Sequence, residues 1–328
     1  MFFNRIFLIC TEACDSRCSL CDYWLIKTPR MLSPAFAEEK IAPFIREGGI
    51  SVACISGGEP TTHPDLGRIV AAVRDAGASA TLITSTTMLG ERFPDIRHRI
   101  THYMISLDGA DRETYRRCRG IDAFDHAVGW INRLRVETVA EVAISCVMQA
   151  ANSRNLRALY ALALSTGTQR LFLRAPDLKP NAFGRERGAR ARTIRQSLLD
   201  EEQLAQLADD IEWLIETDQQ HGILGQKPET LRRKVSFLRC LSLDEPYEEP
   251  DMLCDVPLTS LVIQPDGTCN PCFYLPHSQP FDLEPTAGPA FTEVYRRMLE
   301  DAAFRRQWCN ACQQFDGHKR KTAQPMPV

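Results

Sequence analysis

RIFLICTEACDSRCSLC, residues 5–21, joins a short apolar run to three cysteines, Cys14, Cys18 and Cys21, at spacings of four and three. The run at 6–10 is too short for a helix and reads as a buried strand. Thiols crowded on the loop behind a strand point to metal ligation or redox chemistry rather than packing. Three thiolates can take three corners of a cubane iron–sulfur cluster, or form most of a zinc site. Zinc sites favour paired Cys-x2-Cys elements and a [4Fe–4S] cluster normally takes four cysteines. With three, one iron stays open to an exogenous ligand; no histidine stands nearby in sequence to close the set, and Cys10 belongs to the apolar run.

Working outward, apolar runs at 6–10, 52–56, 81–84, 103–107, 142–147 and 171–173 alternate with amphipathic stretches. Ser33-Pro34 opens a helical pattern reaching Arg46, with Gly48-Gly49 to stop it. Asp65 precedes a run through Ala76 with Gly77 behind it, and Asn152 precedes one through Ser165 with Gly167 behind. Such alternation predicts parallel βαβ units, and six of them suit an open or partial (β/α)6 barrel of α/β class. The pattern then breaks. Residues 176–197 hold Pro176, Pro180, Gly184, Gly188 and five arginines from Arg185 to Arg195, an irregular basic connection. A long helix is expected over 199–220, linker and short helix over 222–250, and a hairpin at Pro265-Asp266-Gly267 behind the run 258–263. An amphipathic segment at 291–303 follows. The expected organisation is a core over 1–175, a connecting region over 176–250 and a cysteine-rich domain over 251–328.

The 328 residues, 44% apolar and 25% charged with net charge −3, describe an ordinary globular chain and exclude a generally basic nucleic-acid or membrane-surface protein. The start, MFFNRIFLIC, lacks the form of a signal peptide, and no apolar segment reaches the roughly 20 residues of a bilayer span. A cytoplasmic location is expected, where the thirteen cysteines stay reduced. Cys10, Cys54, Cys118, Cys146 and Cys240 are scattered and read as small buried hydrophobes.

Cys14-Asp-Ser-Arg-Cys18-Ser-Leu-Cys21 resembles the CxxxCxxC motif of the radical S-adenosylmethionine (SAM) superfamily. The resemblance continues in order. Gly57-Gly58-Glu59-Pro60 ends the second strand and is similar to the family's GGE motif. Thr84-Ser85-Thr86 stands where relatives often carry Thr-Asn-Gly, a departure at two positions. Ser106-Leu107-Asp108-Gly109, then Arg119-Gly120 and Phe124, resembles the SLDG…RG…F pattern of the subgroup with C-terminal extensions. The resemblance implies that Cys14, Cys18 and Cys21 hold an open [4Fe–4S] cluster whose free iron binds SAM. It also implies that Gly57, Gly58, Glu59, Thr84, Ser106 and, more weakly, Asn152 line the SAM site. One electron from a flavodoxin or ferredoxin-type donor would then cleave SAM to methionine and a 5′-deoxyadenosyl radical, which abstracts a substrate hydrogen. Ser106 and Asp108 could instead cap the next helix, and Tyr23 and Trp24 could be core or lie beside adenine.

Cys254, Cys272, Cys309 and Cys312 resemble the ligands of the shortened twitch form of the SPASM extension, implying one auxiliary [4Fe–4S] cluster. Cys269, Cys272, Cys309 and Cys312 also have legal zinc spacing, with iron–sulfur the preferred reading beside the front motif. An auxiliary cluster can accept the electron left when a substrate radical loses a proton. The expected reaction is therefore two-electron oxidation of a small hydroxylated metabolite, a sugar or aminocyclitol alcohol, as in the aminocyclitol dehydrogenases that this sequence resembles within the twitch group. With thirteen residues before Cys14, no N-terminal peptide-recognition domain is expected. The alternative is a maturase that crosslinks, epimerises or oxidises a ribosomal peptide. Arg174, at the end of the sixth strand, is the candidate for holding an anionic group or steering a proton; a solvated basic loop is the alternative for the arginines behind it.

Overall fold

The computed structural model describes residues 3–177, 183–185, 197–247, 256–274, 279–280, 300–301 and 303. Its frame is one sheet in the order β6-β5-β4-β3-β2-β1-β7-β8-β9. The first six strands are β1 (Arg5–Thr11), β2 (Val52–Gly57), β3 (Ser79–Thr84), β4 (His102–Ser106), β5 (Glu141–Val147) and β6 (Arg170–Arg174), each parallel to its neighbour. They match the six strands expected from the apolar runs to within two residues at each end. Parallel strands need crossovers, and helices supply them. These span Ala42–Gly48, Leu66–Asp75, Leu89–Ile96, Arg112–Arg119, Phe124–Glu137 and Leu156–Ser165.

Alternation along the strands sorts the side chains into two faces. Ile6, Leu8, Ile55, Leu82, Ile105, Ile144, Leu171 and Leu173 are buried against helix residues such as Val70, Phe93, Ile131 and Leu159. The opposite face follows the strand register as Ile9–Ser56, Phe7–Cys54–Thr81, Ile83–Met104 and Ser106–Ser145–Phe172. It is less buried and richer in hydroxyls, apart from a small apolar cluster of Phe7, Ile9 and Val262.

Both edges of the six-strand unit are occupied, which is why the barrel pattern stops at six. At β6, Leu171 N–H donates to the Ile223 carbonyl (2.7 Å) and Gly225 N–H to the Leu171 carbonyl (2.8 Å). Gln226 pairs with both backbone groups of Leu173, at 3.0 and 2.8 Å, and the buried Lys234 ammonium donates to the same carbonyl at 3.1 Å. Edge groups satisfied in this way recruit no further strand. At β1 the neighbour comes from the far end of the chain: β7 (Ser260–Ile263) pairs with it in parallel. The antiparallel strands β8 (Thr268–Asn270) and β9 (Gln279–Pro280) continue the sheet. The expected hairpin is present, and it is hydrogen-bonded into the core sheet.

A long helix spans Glu201–Asp218, closed at its start by a capping box between Asp200 and Gln203. The region expected as linker and short helix differs. Residues Pro228–Leu243 form a 16-residue helix. Pro228 occupies its first turn, where a missing N–H costs nothing, and Leu231, Phe237 and Leu238 are buried at helical spacing. Arg232, Arg233 and Lys234 interrupt that apolar period in the sequence. Among the described residues no helix is long and apolar enough to cross a membrane.

Candidate functional site

Because β1–β7 run in parallel, the segments following them gather at one edge of the sheet, the edge where parallel α/β folds place their chemistry. The cysteine loop leaves β1 there. Gly58 N–H donates to the Thr11 carbonyl and Glu59 N–H to the Ala13 carbonyl, both at 2.8 Å. A Cβ at Gly57 would stand 2.2 Å from the Thr11 oxygen, and one at Gly58 2.2 Å from the Ala13 oxygen. Only glycine permits that approach. The paired glycines therefore admit the backbone of the cysteine loop itself.

The loop is held from further sides. Arg17 N–H and Ser19 N–H donate to the Arg119 and Cys118 carbonyls at the end of helix Arg112–Arg119 (2.9 and 3.1 Å). A Cβ at Gly120 would lie 2.4 Å from the Arg17 oxygen. Asp22 N–H donates to the Phe183 carbonyl (2.9 Å), Cys21 Sγ approaches the same oxygen at 3.7 Å, and Arg185 Nη2 donates to the Leu20 carbonyl at 2.7 Å. Arg185, the first arginine of the basic connection, is thus buried against the loop; Arg187, Arg190, Arg192 and Arg195 lie outside the described residues. Trp24 Nε1 donates to the Cys18 carbonyl at 3.3 Å, and Tyr23 packs on the Phe7–Ile9–Val262 cluster.

Glu59 is only 1% exposed. Its Oε1 accepts from Thr61 N–H (3.1 Å), Thr61 Oγ1 (2.6 Å) and Thr84 Oγ1 (2.6 Å). Its Oε2 accepts from Ser85 N–H (2.7 Å) and Ser85 Oγ (2.6 Å). Glu59 and Thr84 therefore staple the end of β2 to the end of β3. Thr86 follows with φ 71°, buried, its hydroxyl without a hydrogen-bond partner among the described residues. Its carbonyl accepts from His126 Nε2 at 3.0 Å. A threonine holds the left-handed conformation where the related pattern has glycine, at a cost of roughly 1–3 kcal/mol.

Ser106 ends β4 beside Ser145, half-exposed on the hydroxyl-rich face. Neither it nor Asp108 caps the next helix; Asp111 does, accepting from Thr114 N–H at 2.8 Å. Asp108 accepts from Val147 N–H (2.7 Å) and pairs with the half-buried Arg119 (3.3 Å). The amide of Asn152 is spent within the loops: its nitrogen donates to the Asp108 and Val147 carbonyls (3.0 and 2.9 Å) and its oxygen accepts from Gln149 N–H (2.9 Å). Arg174 lies over the Phe172 ring, 5.0 Å from its centroid, with Nη2 4.0 Å from Met104 Sδ.

A contact with no local signature roots the loop. Glu12 is buried and accepts from Arg30 N–H (2.8 Å), Nε (3.0 Å) and Nη2 (2.6 Å). The same guanidinium pairs with Asp266 in the turn between β7 and β8. Cys269 and Cys272 are buried beyond that turn, while Cys254, Cys309 and Cys312 lie outside the described residues. Of the scattered cysteines, Cys10, Cys118 and Cys146 are buried and Cys54 and Cys240 partly so.

The donor set of the loop suits a sulfur-ligated iron group. Burial pushes the Cys14, Cys18 and Cys21 thiols up, Cys21 to about 12. Their proximity adds to the rise at Cys14 and Cys21, whereas Arg119 opposes it at Cys18 and Cys21. Thiols gathered where ionisation is costly are stabilised as thiolates by a cationic metal group among them. Among the described residues no three His, Cys, Asp or Glu side chains converge as on a single ion.

The chain is similar to known proteins in sequence and in fold. The chain is 25% identical over 188 residues to a probable GTP 3′,8-cyclase of Saccharolobus solfataricus, covering 53% of this chain and 57% of that protein. It is 33% identical over 129 residues to a GTP 3′,8-cyclase of Stenotrophomonas maltophilia, 37% of this chain and 38% of that one. The chain thus spans about half the length, or less, of the curated relatives it matches. Streptococcus suis SuiB bound to its precursor peptide SuiA superposes with a TM-score of 0.63 at 15% identity, over 92% of this chain and 66% of that one. Native anSMEcpe with bound AdoMet superposes with a TM-score of 0.60 at 14% identity, over 95% of this chain and 92% of that one. These likenesses show the fold. Residues 8–149, which carry the three cysteines and the glycines that brace them, match the Radical SAM superfamily.

Proposed function

We propose that the chain is a radical SAM enzyme that oxidises a small hydroxylated molecule by two electrons. The observation carrying the first part is the cysteine loop: three thiols at the active edge of a parallel sheet, braced by glycine-only contacts at Gly57, Gly58 and Gly120. Cys14, Cys18 and Cys21 would hold a [4Fe–4S] cluster, which supplies the electron that cleaves SAM to methionine and a 5′-deoxyadenosyl radical. Glu59, Thr84 and Asn152 act as positioning residues, since their polar atoms are engaged within the chain. Gly57 and Gly58 let the loop close. Ser106, half-exposed on the open face, is the side chain of this set placed to touch a ligand.

The hydroxyl-rich face with Ser56, Thr81, Ser106 and Ser145 supports a small polar substrate. Conversion of a secondary alcohol to a ketone removes one hydrogen atom, one proton and one electron. The hydrogen atom leaves with the deoxyadenosyl group as 5′-deoxyadenosine, and Arg174 would orient the substrate. The electron requires an acceptor, for which Cys254, Cys272, Cys309 and Cys312 would hold an auxiliary [4Fe–4S] cluster in a C-terminal domain over 251–328. The peptide-modifying alternative draws support from the fold likeness to SuiB, solved with a precursor peptide.

The test is anaerobic reconstitution followed by SAM and dithionite. The wild type should release 5′-deoxyadenosine and the Cys14→Ala, Cys18→Ala, Cys21→Ala variant none; equal release from both would refute the site. A ketone formed from a polyol or aminocyclitol panel supports oxidation, whereas turnover of a short precursor peptide alone supports the alternative.

A further inference from the structure

Arg185 is buried, and it belongs to none of the motifs that mark the core. Its Nη2 donates to the Leu20 carbonyl at 2.7 Å, one residue before Cys21. The segment that carries it is tied to the same stretch of loop. Phe183 holds a left-handed φ of 54°. Its carbonyl accepts from Asp22 N–H at 2.9 Å, with Cys21 Sγ 3.7 Å away. The Arg185 guanidinium lies over the Phe183 ring, 5.3 Å from its centroid, and that ring meets Tyr274 at 6.3 Å. A bulky residue held left-handed costs roughly 1–3 kcal/mol, and such residues cluster where function over-determines the backbone.

Shape alone accounts poorly for an arginine at this place. One carbonyl can be satisfied by a neutral donor, whereas a buried cation costs several kcal/mol unless opposite charge faces it. The charges that face this one are the carboxylates of Asp177 and Asp22, both buried, and the sulfur of Cys21. Arg119 and Arg185 both favour the ionised form of Cys21. Arg119 also acts on Cys18 and is anchored to Asp108. Arg185 therefore brings a second positive charge to the third cysteine of the set, from the connection that follows β6.

We infer that Arg185 sets the reduction potential of the iron group held by Cys14, Cys18 and Cys21, by stabilising its reduced form. The inference rests on the proposed function, which requires that group to take up one electron. An external one-electron reductant loses the electron and the group gains it, with no bond formed and no proton moved. Reduction adds one negative charge, so a fixed cation beside Cys21 favours it, and the Asp177 carboxylate damps that effect. Arg185 acts through the thiolates as a positioning residue, not on the substrate.

The test is a redox titration of the reconstituted full chain, followed by the part of the electron paramagnetic resonance signal that SAM perturbs. Arg185→Gln retains a neutral N–H2 donor and removes the charge. At any fixed potential its ratio of reduced to oxidised protein should fall about tenfold, the scale of one partly screened charge. Arg185→Lys should titrate close to the wild type, and Asp177→Asn should shift the opposite way, toward easier reduction. Iron content should match the wild type in all three. Superposed titration curves for the wild type, Arg185→Gln and Asp177→Asn would overturn the assignment. Loss of iron from both Arg185→Gln and Arg185→Lys would also overturn it, leaving the arginine a structural clasp. If Arg185→Gln alone fails to hold iron, Asp177→Asn decides, and an unshifted midpoint there overturns the assignment. A wild-type signal indifferent to SAM would instead overturn the functional reading beneath it.

Discussion

The two cysteine-bearing regions are built differently. The front loop is clasped by backbone: β2, the end of helix Arg112–Arg119 and residue 183 each hydrogen-bond to it, and three glycines exist to let them approach. The tail hairpin is held as an edge, by four residues of β7 on β1 and by one guanidinium reaching Asp266. The contrast teaches where preorganisation is concentrated. On the proposed function, a site that keeps one coordination position open depends on its protein frame for shape, and the close approaches at Gly57, Gly58 and Gly120 leave no room for an added methyl.

The largest effect should come from breaking that clasp. Gly58→Ala places a Cβ 2.2 Å from the Ala13 oxygen; overpacking of this kind costs roughly 1–3 kcal/mol, and because backbone must move, the upper end or beyond is expected. Thermal unfolding and iron content of the front set should both fall, while the equivalent change at Gly129, which has open space around it, should leave both intact. Next is Glu59→Gln, which sets an amide N–H2 against donors now bonded to the carboxylate. Each orphaned buried donor costs about 1–3 kcal/mol, readable as a lower denaturation midpoint, with loss of SAM affinity following from loosened β2 and β3 ends.

Arg30→Met tests whether the two regions are mechanically linked. Glu12 would lose both guanidinium donors, at a cost of about 1–3 kcal/mol after allowing for the partial exposure of Arg30. Hydrogen exchange should quicken in the hairpin as well as in the front loop; quickening at one end only would deny the link. The bridge also has a pH signature. Burial works against the Asp266 carboxylate, but the Thr268 donors and the Arg30 charge outweigh it and hold the group below the ordinary carboxylate range. Its contribution is therefore present above that range and lost as pH falls through the folded value. The acid-side loss of stability should be smaller in Arg30→Met. The smallest effect is of opposite sign: Thr86→Gly relieves a left-handed threonine and should stabilise by roughly 1 kcal/mol, raising Tm by about 2–4 °C.

Much of this frame is legible in the sequence because it is local. Six buried parallel strands announce themselves as short apolar runs, and the cysteine spacing and Gly57-Gly58 mark the loop that follows the first two. What escapes is long-range. The pairing of β7 with β1 leaves no pattern in either segment, and Arg30 looks like any surface arginine until Glu12 and Asp266 are brought to it. Lys234 disguises a 16-residue helix because a buried cation breaks the apolar period. Glu59 illustrates the other limit: the sequence offers a carboxylate for a ligand's ammonium, and only the fold shows it already taken by Thr61, Thr84 and Ser85.

The difference between the two regions is tested most directly by the electron paramagnetic resonance spectrum of a variant lacking the tail set, Cys254→Ala, Cys272→Ala, Cys309→Ala, Cys312→Ala. Reconstituted and reduced, it should retain about four irons per chain, the content of one cubane cluster, and its spectrum should shift when SAM is added. Retained iron with a spectrum indifferent to SAM, or no iron at all, would contradict an open site at Cys14, Cys18 and Cys21.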